Sequence, residues 1–146
     1  MKPIIHILIA FMFVMILVSL PATAATDNPQ YIHYKQMTMK FSGTDATVTL
    51  SFELDAFVQA YTLLMGSHNL EGDIRKMFSD FDEVTVSEIG KDYAIIRIGN
   101  VSHLSNGYYL HDSRELGSSV DVLTMVYPSG ATKQKSNAKE TSNIFY

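Results

Sequence analysis

The chain has 146 residues, with 11 Lys and Arg against 15 Asp and Glu, for a net charge of −4. A mildly acidic chain lacks the clustered cations that nucleic acid or an anionic lipid surface calls for. It contains no cysteine, which removes disulfides, thiolate-bound zinc, thiol catalysis and lipid attachment through a cysteine.

The first element is apolar. Ile4 to Leu20 is a run of 17 residues without a charge. As a helix it would extend about 25 Å, between the core of a secretory signal and a spanning helix. Lys2 precedes it and Asp27 is the first charge after it, so the positive side is N-terminal and stays inside. Pro21 stops the helix, and Ala22-Thr23-Ala24 has the small-x-small form of a signal-peptidase site. Residues 1–25 are therefore expected to be a signal peptide cleaved near Ala24, with a membrane anchor formed by residues 4–20 as the alternative. Either way, the chain from residue 27 onward is expected on the outer side of the cytoplasmic membrane, secreted or tethered.

Residues 27–130 read as one globular domain, long enough to build a core without staples. Tyr31 to Phe41 predicts a strand with Met37, Met39 and Phe41 on one face. Ser42-Gly43-Thr44-Asp45 is turn chemistry. Ala46 to Leu54 alternates, with Val48, Leu50, Phe52 and Leu54 on one side, and completes a hairpin. The period then changes to that of a helix. Asp55 is placed to accept the free N–H groups of a first turn. Phe57, Ala60, Tyr61 and Leu64 share one helical face, which predicts a buried stripe, and Gly66 ends it. Asn69 is expected to cap a second helix, with Ile74, Met77, Phe78 and Phe81 as its core-facing side. Strands return at Glu83–Ile89 and Tyr93–Ile98. Asn106-Gly107 signals a tight hairpin, and Val120–Tyr127 predicts a last strand. Ala131 to Asn143 is polar, and residues 131–146 are expected to form a late loop or mobile tail. The whole predicts an α+β fold: an antiparallel sheet of about six strands, with a two-helix segment (about 56–80) inserted after the first hairpin and packed on one face.

The densest polar chemistry is Tyr108 to Ser119. His111 and Asp112 are the acid–base types of a small hydrolase, with Ser113 as nucleophile if the fold presents it to an imidazole. Adjacent side chains seldom converge, and Gly117-Ser118-Ser119 argues for a loop. His111 and Glu115 would share a face only if the segment were helical. His33, His68, His103 and His111 show no metal-ligand spacing, no calcium loop occurs, and no phosphate-cradling glycine pattern is present, so neither a metal nor a cofactor is expected. Asn100-Val101-Ser102 is a glycosylation sequon. Tyr31, Tyr34, Tyr108, Tyr109 and Tyr127 offer faces on which a sugar or peptide could stack.

These features are expected to serve an exported, non-enzymatic binding or interaction domain whose partner is a protein or a small ligand, with membrane contact only through the N-terminal segment. The alternatives are a small secreted hydrolase using the His111/Asp112 loop, and a carrier of an apolar ligand with a cavity among Met37, Phe52, Phe57 and Phe78.

Overall fold

The computed structural model describes residues 31–146. The expected signal or anchor segment, with its cleavage near Ala24, lies outside the described residues. The described part is α+β, but its main sheet is mixed rather than purely antiparallel. Its strands are β1 (Ile32–Ser42), β2 (Asp45–Leu54), β3 (Glu83–Ile89), β4 (Tyr93–Gly99), β7 (Glu115–Val126) and β8 (Thr132–Glu140), in the order β3-β4-β2-β1-β7-β8. The pair β1–β7 is parallel, with Gln36 opposite Val122 and Lys40 opposite Val126. A second, antiparallel sheet of three short strands has the order β5-β6-β9, from His103–Ser105, Tyr108–His111 and Ile144–Phe145. Among the described residues, no helix is long and apolar enough to cross a membrane.

Strands β1 and β2 form where alternation is cleanest. Met37, Met39, Phe41, Val48, Leu50 and Phe52 are all buried on one face of their hairpin. Gly43 sits at φ +61° in the two-residue turn that joins Ser42 to Asp45, a conformation that L side chains rarely adopt. Asn106 and Gly107 both have positive φ, at 51° and 87°. That is the backbone of a tight hairpin turn, and it pairs Ser105 with Tyr108.

The two helices differ sharply. α2 (His68–Met77) buries Leu70, Ile74 and Met77, and Phe78 and Phe81 follow into the same core. Arg75 fastens it to β3 by donating to the Val84 carbonyl at 2.9 Å. Gly117 of β7 passes so close that an added Cβ would stand 2.3 Å from the Lys76 carbonyl oxygen. α1 (Ala56–Met65) buries no residue at all. The stripe expected to face the sheet faces solvent instead, with Phe57 79% and Leu64 84% exposed. Its contact with the core comes from Val58, on another side of the helix. Asp55 occupies the N-cap but makes no side-chain cap bond; its carboxylate lies 3.6 Å from His33 Nε2. Ser67, rather than Asn69, precedes the second helix.

The C-terminal segment is not a loose tail. Residues 132–140 form an edge strand against β7, with Val126 opposite Thr132 and Val120 opposite Ala138. Only Ala138 of this strand is buried. A strand that buries a single side chain shows no alternation, and its lysines 133, 135 and 139 suit an unpaired edge.

Candidate functional site

Three hairpin turns converge at one end of the main sheet. They are the β1–β2 turn at Gly43, the β5–β6 turn at Gly107 and the β7–β8 turn at Pro128–Ala131. Between them opens a groove of about 550 Å³, a volume typical of small-molecule sites. Its walls are aromatic: Tyr109, Tyr127, Phe145 and Tyr146, with Pro128 beside them.

The chain builds this wall from its last residues. β9 pairs with β6, placing Ile144 opposite His111 and Phe145 opposite Leu110. Tyr109 and Tyr146 exchange backbone hydrogen bonds of 2.8 and 3.0 Å. Their rings stack with centroids 5.6 Å apart, and Phe41 packs on the other partner at 5.5 Å. The Tyr146 hydroxyl donates to the Gly43 carbonyl at 2.7 Å. Ser102 Oγ lies 2.9 Å from the same hydroxyl; with the phenol proton committed to Gly43, serine supplies the hydrogen. Burial raises the Tyr146 pKa, so the phenol stays neutral. Tyr146 is thus pinned to the first turn of the sheet.

Behind the wall lies His111, 1% exposed. Its Nδ1 is 2.6 Å from the Val101 carbonyl and its Nε2 is 2.9 Å from Thr141 Oγ1. A carbonyl only accepts, so Nδ1 carries the proton and Nε2 receives one from threonine. Thr141 Oγ1 in turn accepts the Arg114 N–H at 2.9 Å. The ring also packs on Phe41, with centroids 5.0 Å apart. Burial lowers the His111 pKa, and the Arg114 charge adds to this; the Val101 bond and Asp112 act the other way without reversing it.

The proposed acid–base pair is not brought together. Asp112 is exposed, and both ring nitrogens of His111 are bonded elsewhere. Ser113 Oγ donates to the Thr141 carbonyl at 2.7 Å rather than to an imidazole. The segment around Glu115 is strand, not helix, so His111 and Glu115 do not share a helical face. Asp80 holds this segment, accepting the Glu115 N–H on its carboxylate at 2.9 Å. His33 and His103 are exposed on separate sheets, and His68 begins α2. Among the described residues, no group of three or more His, Asp or Glu could hold a metal ion.

Asn100 is exposed at φ 53°, and its amide donates to Glu83 Oε1 at 2.9 Å. The other two sequon residues, Val101 and Ser102, are buried. Of the tyrosines named from sequence, Tyr109 and Tyr127 line the groove. Tyr34 is buried with its pKa pushed up to about 12, chiefly by desolvation, while Tyr31 and Tyr108 lie outside the groove. Sequence reasoning missed Phe145 and Tyr146. The available signal was an aromatic pair directly after a long polar run. Met37, Phe52 and Phe78 are packed in the core, whereas Phe57 points to water, so these four do not meet around one cavity. Compared with protein-family models, with curated proteins and with solved structures, the chain finds no match.

Proposed function

We propose that this chain is an exported binding domain that receives the planar or apolar face of a small ligand, or of a protein segment, in the aromatic groove. The export part rests on the uncharged run at residues 4–20 and the Ala22-Thr23-Ala24 site that follows. The binding part rests on one observation: four aromatic side chains line a groove whose walls supply no side-chain carboxylate, imidazole or amine. Aromatic faces provide large contact area at low conformational cost. Acid–base catalysis needs titrating groups beside the substrate, and this lining favours binding over turnover. Gly43, Gly107 and the β7–β8 turn give the groove an open mouth, and Tyr127 is its one aromatic wall on the main sheet.

The test is ligand-observed NMR on the purified protein with a fragment library rich in aromatic and cyclic compounds, repeated on Tyr127→Ala. Fragments that bind the wild type and are lost in Tyr127→Ala, at an unchanged melting temperature, support the reading. Fragments that bind both forms equally, or no binding at all, overturn it.

A further inference from the structure

None of the described residues covers the apolar stripe of α1. Phe57, Tyr61 and Leu64 share one face, Leu63 and Met65 flank them, and all five are exposed. Ala56 to Ser67 carries no charged side chain. Beside Leu63 a groove of about 240 Å³ brings Leu54 and Ile89 together with the polar Gln59, Thr62 and Lys91. Soluble domains seldom leave a contiguous apolar patch larger than a few hundred Å².

What covers it is indicated by the path of the chain. The Tyr31 carbonyl accepts the Asp55 N–H at 3.1 Å, so the polypeptide joins the sheet at the N-terminal end of α1. Residues 21–30 separate Tyr31 from the uncharged run Ile4–Leu20, and ten residues reach at most about 35 Å. On the anchor reading of residues 4–20, on which this inference rests, the run is kept rather than cleaved near Ala24, and the membrane that holds it lies within reach of α1. The aromatic groove is at the opposite end of β2, roughly 30 Å away for a ten-residue strand.

We propose that α1 is a membrane-docking helix that lays Phe57, Tyr61 and Leu64 into the surface of the bilayer to which residues 4–20 direct the chain. The contact is apolar, since the segment has no Lys or Arg to favour anionic headgroups. Tyr61 suits the headgroup level, where an aromatic ring keeps its hydroxyl wet. Val58 keeps its place against the core, so docking requires no unfolding. The groove is then held facing away from the membrane, open to a ligand from outside.

The chain contains no tryptophan, so Leu64→Trp makes a unique reporter. The full-length variant is reconstituted into phosphatidylcholine vesicles with and without brominated acyl chains. The expected result is blue-shifted emission that brominated lipid quenches strongly. Met65→Trp, 66% exposed in the wild type, is a second probe should the first variant fold poorly. Leu104→Trp, on β5 beside the groove, is expected to keep water-like, unquenched emission. Water-like emission at both α1 positions overturns the proposal. So does blue-shifted emission that brominated lipid leaves unquenched, because α1 would then be covered by residues 4–20 or by a second copy of the chain. Equal quenching at Leu104 and Leu64 also overturns it.

Discussion

Thr141→Val is the most direct probe of the node behind the aromatic wall. Valine matches threonine in shape, so the substitution removes two hydrogen bonds and little volume. In the wild type, Thr141 Oγ1 donates to His111 Nε2 and accepts from the Arg114 N–H, both at 2.9 Å. Thr141 and His111 are each 1% exposed, so water does not readily replace the lost partner. A buried polar group left unpaired costs about 1–3 kcal/mol. Two such groups, one of them only half-buried at Arg114, set the expected loss at about 2–4 kcal/mol. For a domain of this size, 1 kcal/mol moves Tm by about 4 °C, which places the shift at about 8–16 °C. Urea denaturation with unchanged slope gives the free energy, and a thermal melt gives the second reading. The Val101 carbonyl still holds the proton on Nδ1, so nitrogen chemical shifts of His111 should show Nε2 losing its hydrogen bond with the tautomer kept. A loss below about 0.5 kcal/mol, the size of an ordinary surface change, would refute the reasoning. It would mean that water reaches the node or that Arg114 and His111 find other partners.

Other perturbations test the same structure elsewhere. Leu50→Asp buries a carboxylate on central strand β2, opposite Met37 and Ala94. Its cost of several kcal/mol, against a total stability of about 5–15 kcal/mol, should abolish the cooperative melt seen by circular dichroism. Gly117→Ala forces a methyl against the Lys76 carbonyl and should cost about 1–3 kcal/mol in urea titrations, as overpacking does; no loss would mean that α2 and β7 separate easily. Because the folded-state pKa of His111 is lowered, the unfolded chain binds the extra proton. Its contribution to stability is therefore complete above about pH 6.5 and declines as the pH falls below that value, at no more than about 1.4 kcal/mol per pH unit. Subtracting the pH profile of His111→Gln should isolate this slope, and parallel profiles would exclude it.

Much of the core was legible because alternation and turn chemistry are local. Met37, Leu50, Ile74 and Phe78 were placed inside from spacing alone, and the turns at Ser42–Asp45 and Asn106-Gly107 follow from residues that tolerate positive φ. The parallel β1–β7 pair was not legible. Hairpin signals announce antiparallel neighbours, whereas strands separated by 72 intervening residues (43–114) carry no mark of their partner. Strand β8 was hidden for another reason: an edge strand that buries only Ala138 has no alternating pattern to read. The groove suffered from both effects. Tyr109 and Tyr127 were visible as residues with stacking faces, but β9 is two residues long, and only its pairing with β6 brings Phe145 and Tyr146 beside them.

The misread face of α1 shows what periodicity does and does not encode. Phe57, Tyr61 and Leu64 recur at the spacing of an apolar stripe, and that spacing specifies a contact with something apolar. It does not specify whether the contact is a sheet, another chain or lipid. Near Ile74 the sheet answers, because β3 and β7 lie under α2. Near Leu64 the sheet is reached through Val58 on a different side, so among the described residues the stripe is left uncovered. Its neighbour in the chain is the one other long apolar segment, a short tether away. The exposed stripe of α1 and the aromatic groove lie at opposite ends of β2, so the two surfaces can be tested apart. Moving Phe57, Tyr61 and Leu64 to serine should therefore leave fragment binding in the groove intact while abolishing the quenching of Met65→Trp by brominated lipid, which separates the two surfaces in a single protein.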